Sequence, residues 1–258
     1  MDYQLKGKTA FVSSGAHGIG QATADLLTQE GAEVIVADID EGALKQNGKN
    51  WYGTIAADLS TGEGMTRAIQ YAFEKFGTPD ILINNLGVGD TAPFETLNDE
   101  RWLHGFNINL MGCVRACRAI VPKMADRGSG CVINTGSDLA KQPEPGFADY
   151  GAFKAGVMYL TKALAKQFAP KVRVNVVSPG PIWSRMWTRP GGIADQLMQQ
   201  YGVDLDTAVK RFTQERQMPM GIGQPMDVAH AVVFLASPLA RMITGASIDI
   251  CGTIRGIL

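Results

Sequence analysis

The feature that most restricts this chain is its alternation of short apolar runs with segments of helical period, the first run ending in a turn of small residues. Thr9–Ser13 and Glu33–Ala37 are rich in Val, Ile, Phe and Ala, as suits strands buried on both faces. Between them, over Gly18–Glu30, Ile19, Ala22, Leu26 and Leu27 recur at helical spacing, and Gly31 supplies a stop. The pattern predicts further strands at Gly53–Ala57, Ile81–Asn84, Cys131–Asn134, Val172–Val177 and Ser247–Ile250. Helices are expected over Gly62–Phe76, Asp99–Ala125, Tyr150–Phe168 and Asp227–Ala236. Such alternation calls for right-handed crossovers and an α/β fold, a doubly wound parallel sheet covered on both faces. Ligands of such sheets bind beyond the carboxyl ends of the strands.

No Pro/Gly/Ser-rich linker or repeat divides residues 1–258, so one domain is expected, with one excursion at about 183–220. An excursion of that length in a compact domain is usually a lid or binding loop. A formal net charge of −1 argues against a surface built to neutralise nucleic-acid phosphates or an anionic membrane. No stretch reaches the ~18 consecutive apolar residues of a membrane span, and Met1 to Lys8 lacks the apolar core of a secretory signal. Cys113, Cys117, Cys131 and Cys251 form no C-x-x-C pair and read as reduced thiols, which suits a cytoplasmic protein. His17, His104 and His230 show no ligand spacing, so no metal is expected, and no G-x-S-x-G elbow is present for a serine hydrolase.

The first strand runs into Ser13-Ser14-Gly15-Ala16-His17-Gly18-Ile19-Gly20 and then a helix. Small residues let the backbone approach a pyrophosphate, while free N–H groups and the helix dipole attract its charge. Ser14, Gly15, Gly18 and Ile19 are therefore candidate cofactor contacts in a Rossmann-type domain. Asp38 ends the second strand 18 residues after Gly20, where its carboxylate would accept ribose hydroxyls and repel a 2′-phosphate. The adjoining Ile39 offers that phosphate no cation, so NAD is expected over NADP.

Tyr150-Gly-Ala-Phe-Lys154 sets a phenol and an ammonium four residues apart on one helix face. A free phenol with a pKa of about 10 is a poor base at neutral pH, and a nearby ammonium favours its ionised form. Ser137 lies thirteen residues upstream, just past the strand Cys131–Asn134, where its hydroxyl can hold a substrate oxygen. With these motifs in this order, the chain resembles the classical short-chain dehydrogenase/reductase family from its first strand to its last. The resemblance implies that Tyr150 acts as acid/base and that Lys154 binds ribose hydroxyls and tunes Tyr150. It further implies that Ser137 orients the substrate and that Asn109 holds a water linking Lys154 to solvent. Asp58 and the backbone near Leu59 would meet the adenine, Asn85 and Gly87 would border the cofactor, and Pro181, Ile182 and Ser184 would face the nicotinamide end. The family's homotetramer is implied as well, and the apolar tail Ile254–Leu258 is compatible with burial against a neighbour.

The chain departs from the family pattern at Ser14, where a glycine is usual, at Leu86, where alanine is usual, at Ser184 for threonine and at Cys251 for glycine. Met and aromatic residues along the helices, and Cys113 with Cys117, read as packing; His17 reads as an exposed turn residue and Asn107 as a polar helix side. For the substrate, a small to medium polar hydroxy or keto compound such as a sugar-derived acid is expected, with Arg185 and Arg189 as candidate partners of a carboxylate or phosphate. Trp183, Met186 and Trp187 would offer it apolar surface, with Gln142, Glu144 and Phe147 as a second wall. The rival reading is a protein of this fold that binds NAD without turnover.

Overall fold

The computed structural model describes residues 2–253; the tail Ile254–Leu258 lies outside the described residues. Seven parallel strands form one sheet in the order β3-β2-β1-β4-β5-β6-β7. They are β1 (Thr9–Ser13), β2 (Glu33–Asp38), β3 (Gly53–Ala56), β4 (Ile81–Asn84), β5 (Gly130–Thr135), β6 (Val172–Pro179) and β7 (Ser247–Ile250). The helices are α1 (Gly18–Gln29), α2 (Glu41–Asn47), α3 (Gly62–Phe76), α4 (Asp99–Phe106), α5 (Gly112–Arg127) and α6 (Ala148–Phe168). They are followed by α7 (Arg185–Thr188), α8 (Ile193–Tyr201), α9 (Leu205–Glu215) and α10 (Pro225–Ala236).

The two-residue period of the strands sorts their side chains into two cores. Ala10, Val12, Ile81 and Ile83 face Leu26 and Leu27 of α1 and Val228, Val232 and Leu235 of α10. The alternate residues Phe11 and Leu82 face Met65 and Ile69 of α3, Ala116 and Ile120 of α5 and Val157 of α6. Strands buried on both faces have no polar side to show, which is why their sequences read as continuous apolar runs. Order reverses between β1 and β4, so the crevice for a ligand opens at their carboxyl ends, where Ser13 is paired with Asn84.

The helix expected over Asp99–Ala125 is instead interrupted by a π-helical turn at Asn107–Met111. Its cause is local. Asn109 Nδ2 donates to the Gly105 carbonyl at 3.0 Å, the acceptor that its own backbone N–H would use in an α-helix. The Asn107 carbonyl, which accepts from Gly112 N across the widened turn, also takes Arg115 Nη1 at 3.3 Å, and Arg115 Nη2 reaches Asn107 Oδ1 at 2.7 Å. Widened turns of this kind often mark functional positions.

The excursion after β6 is largely helical. α7, α8 and α9 enclose a small core of Trp187, Ala194, Leu197 and Ala208, separate from the two sheet cores. Asp204 caps α9 through Thr207 N at 3.0 Å.

Candidate active site

Ser137, Tyr150 and Lys154 converge beyond β5. Ser137 opens the single turn Asp138–Ala140; its Oγ accepts from Leu139 N at 3.2 Å and donates to Asp138 Oδ1 at 3.2 Å. Tyr150 and Lys154 stand one turn apart on α6, with Lys154 Nζ 5.6 Å from the centroid of the Tyr150 ring. Lys154 is 2 % exposed and donates to the Thr135 carbonyl at the end of β5, at 2.9 Å. Asn109 lies alongside: its Oδ1 accepts from Val88 N, and its Nδ2 donates to Val88 O, both at 3.0 Å. Gly87 separates Asn109 from Lys154, and a Cβ there would come within 2.9 Å of Nζ.

One cavity is lined by Ser137, Asp138, Tyr150, Pro181, Ile182, Ser184, Met186, Trp187, Phe212 and Arg216 together with Ile19. Burial pushes the Tyr150 phenol well above its ordinary value; the Asp138 carboxylate adds to this, and the Ser137 hydroxyl opposes it. Burial lowers Lys154 to about 8. The phenol of the free chain therefore keeps its proton.

At the other end of the crevice the glycine-rich turn leads into α1, whose N-cap residue His17 makes no side-chain cap and whose first turn holds no acid. Gly18 has φ +54°, open to glycine, and a Cβ there would lie 3.5 Å from Ser184 Cβ on the opposite wall. Uncapped amides at the carboxyl end of β1, under a cradle this close, fit the diphosphate of a dinucleotide. Ser14 adopts φ +55°, the conformation for which the missing glycine would be suited. Asp38 is buried, and its two carboxylate oxygens accept from Ala16 N and Asp40 N, each at 3.0 Å, so it also pins the turn. Ile39 beside it is 70 % exposed. Asn85 Nδ2 holds the Ser14 carbonyl at 2.8 Å. Asp58 is exposed after β3 and accepts from Ser60 N and Oγ, while Leu59 is buried. Leu86 packs against Gly112 at the edge of the core that holds Leu59.

Other residues fall differently from their sequence readings. Trp183 does not line the cavity but stacks edge-on behind Trp187, ring centroids 5.4 Å apart. His17 is no free turn residue: its Nε2 lies 2.8 Å from Asp40 Oδ2 and 2.8 Å from Arg185 Nη1. Arg185 also reaches Asp40 at 3.0 Å, and Arg189 pairs with Asp90, so both arginines are engaged outside the cavity. The cation that does line it is Arg216, a residue that sequence spacing gave no reason to choose. Asp138 was missed as well, although its place beside Ser137 could have marked it. Glu144 meets Arg216 at 3.1 Å. Asn107 and the Cys113–Cys117 pair are structural: Cys113 Sγ donates to Asn134 Oδ1 within the buried polar rung Asn84–Asn134–Thr161. Among the described residues no cluster of metal-ligating side chains occurs, and no helix is long and apolar enough to cross a membrane.

Comparison with known proteins bears on this geometry. A family profile described as Enoyl-(Acyl carrier protein) reductase matches residues 15–252. An uncharacterized oxidoreductase of Schizosaccharomyces pombe is 34 % identical over 96 % of this chain and 91 % of its own. The structure of L-sorbose reductase from Gluconobacter frateurii, complexed with NADPH and L-sorbose, superposes with a TM-score of 0.92 at 28 % identity, all of both chains being covered. A 3-ketoacyl-(acyl-carrier-protein) reductase from Brucella melitensis, complexed with NADH, gives 0.82 at 29 % identity, over 96 % of this chain and 98 % of that one.

Proposed function

Because the chain belongs to the classical short-chain dehydrogenase/reductase family, we propose that it is an NAD-dependent enzyme interconverting a secondary alcohol and a ketone, with Tyr150 as acid and base. The observation that carries this reading is the convergence of Ser137 and Tyr150 on one cavity, with Lys154 buried beside the Tyr150 ring and the uncapped start of α1 at the same crevice. The bound nicotinamide would supply or accept the hydride. Ser137 Oγ–H would donate to the substrate oxygen. In reduction Tyr150, protonated in the free chain, would give its proton to that oxygen; in oxidation its phenolate would take the alcohol proton, and the Lys154 ammonium would favour that phenolate. Asn109 would border the proton path beside Lys154.

NAD is favoured because the buried Asp38 carboxylate opposes a 2′-phosphate and Ile39 offers no cation. Ser14, Gly15, Gly18 and Ile19 would cradle the diphosphate. Asp58 and Leu59 would take the adenine, Asn85 and Gly87 the middle of the cofactor, and Pro181, Ile182 and Ser184 its nicotinamide end. The substrate we propose is an uncharged polyhydroxy compound and not a sugar acid. Arg185 and Arg189 are paired elsewhere, and Arg216 already faces two carboxylates, so an anion would meet more repulsion than attraction. Trp187 would contact it from the cavity wall, while Glu144, outside that lining, would act only through Arg216. As a cytoplasmic enzyme the chain would assemble into a homotetramer, consistent with exposed Leu103, Phe106 and Tyr159 on α4 and α6.

The test is turnover of neutral sugar alcohols and ketoses with NAD(H) and NADP(H), followed at the absorbance band of the reduced cofactor. Activity should favour NAD(H). Tyr150→Phe should lower kcat by roughly 10²–10⁴-fold while NADH still binds. Cofactor binding with no turnover across the panel would favour a non-catalytic binder, and a near-normal Tyr150→Phe rate would remove Tyr150 from the chemistry.

A further inference from the structure

Arg216 reaches the cavity from the end of α9, in the excursion that covers the site. It is only 13 % exposed; its Nη2 lies 3.3 Å from Asp138 Oδ2 and its Nη1 3.1 Å from Glu144 Oε1. Its guanidinium rests 5.2 Å from the centroid of Phe212. Asp138, 6 % exposed, is gripped from its other side by the Ser137 hydroxyl at 3.2 Å. A continuous chain thus runs from the lid to the catalytic serine: Arg216, Asp138, Ser137, with Tyr150 on the same cavity wall.

We propose that Arg216 is a positioning residue which, by neutralising Asp138 from the lid, frees the Ser137 hydroxyl and the Tyr150 phenol for proton exchange with the substrate. The inference rests on the reading of Tyr150 as the acid/base. An uncompensated carboxylate beside Ser137 would hold its hydroxyl proton more firmly and would oppose ionisation of the nearby phenol. An arginine pair moderates both effects. The direction of the shifts agrees: Asp138 raises Tyr150, and Arg216 lowers Asp138 against the upward push of burial. Other charged groups near Tyr150 are Lys154 and Asp149 on α6, Arg101 and His104 on α4, Asp90 after β4, and Glu144. None of these except Glu144 bonds to Arg216, and Asp149 is held by Arg101 at 2.9 Å. Since Arg216 belongs to the lid and Asp138 to the turn after β5, the neutralisation is complete only while the lid is seated.

The experiment is the pH dependence of alcohol oxidation by the NAD holoenzyme, with the neutral polyol that turns over fastest as probe. It is paired with ultraviolet titration of the Tyr150 phenolate, taken as the difference between each protein and its Tyr150→Phe counterpart in the NAD complex. Arg216→Gln should move the acidic limb and the phenolate titration upward by on the order of one pH unit. Asp138→Asn should move both downward. The double variant should behave nearly like Asp138→Asn alone, because Arg216 then faces only Glu144, which makes no contact with Ser137. Arg216→Lys should return the limb toward its original position and shows that the charge, not the packing, is responsible. Unmoved limbs, or an equal upward shift from Arg216→Gln in the Asp138→Asn background, would overturn the proposal. Should Tyr150→Phe retain turnover, the acid/base reading itself fails; the phenolate titration still reports whether Arg216 and Asp138 govern Tyr150.

Discussion

The two walls of the cavity are held in different ways. The wall carrying Ser137, Tyr150 and Lys154 is part of the sheet and its longest helix, and its polar groups bond to strand-end carbonyls and amides in buried positions. The opposite wall, α7 to α9, has a small core of its own and is tied to the body by ion pairs, the partly exposed Arg185–Asp40 and Arg189–Asp90 and the more buried Arg216–Asp138. Proton transfer tolerates little misplacement of its groups, whereas admitting a substrate requires a surface that can open. On the proposed function, the division sets proton exchange on the wall built into the sheet and substrate admission on the wall with the smaller core.

Substitutions can break or sharpen this contrast. Lys154→Met should cost most, lowering kcat by roughly 10²–10⁴-fold with only a modest change in Tm, since it keeps the aliphatic stem but removes the charge. Next is Asn109→Ala, which strips three bonds from the π-helical turn and should destabilise the fold by about 2–3 kcal/mol in denaturant titration, with activity falling in step. Trp187→Ala should raise the substrate KM severalfold while the sheet unfolds at nearly its original denaturant midpoint. If global stability fell as far as with Asn109→Ala, the lid would be as integral as the sheet and the contrast would be lost. Arg185→Gln should change cofactor affinity by at most about fivefold, because Arg185 itself is mostly exposed and its partner Asp40 partly so. The smallest effect is expected from Ser14→Gly, a stabilisation of up to about 1 kcal/mol by relief of a left-handed conformation, read as a small rise in Tm.

The same contrast explains what the residues revealed in advance. Every strand was legible, because burial on both faces leaves an uninterrupted apolar run, and all seven fall within a few residues of their expected places. The Tyr150 and Lys154 pair was legible because helix geometry alone puts them on one face. The break at Asn107–Met111 was not, because a side chain usurping a backbone acceptor leaves the apolar period almost intact; two asparagines in one helical turn were the only hint. Arg216 and Asp138 are 78 positions apart, and only the path of α8 and α9 brings them together. For the same reason the sequence pointed to Arg185 and Arg189, which are near the lid's start and satisfied elsewhere.

The buried lysine and phenol also shape the chain's tolerance of alkali. With Lys154 lowered to about 8, the unfolded chain holds one more proton than the native one between there and the ordinary lysine value of 10.5, so native stability climbs across that interval. Tyr150, displaced the opposite way, keeps its proton in the native chain above the ordinary 10.0, so stability drains away from that point upward. Taken together, these two neighbours contribute most to native stability where the lysine gain ends and the tyrosine loss begins, near the ordinary values of 10.5 and 10.0.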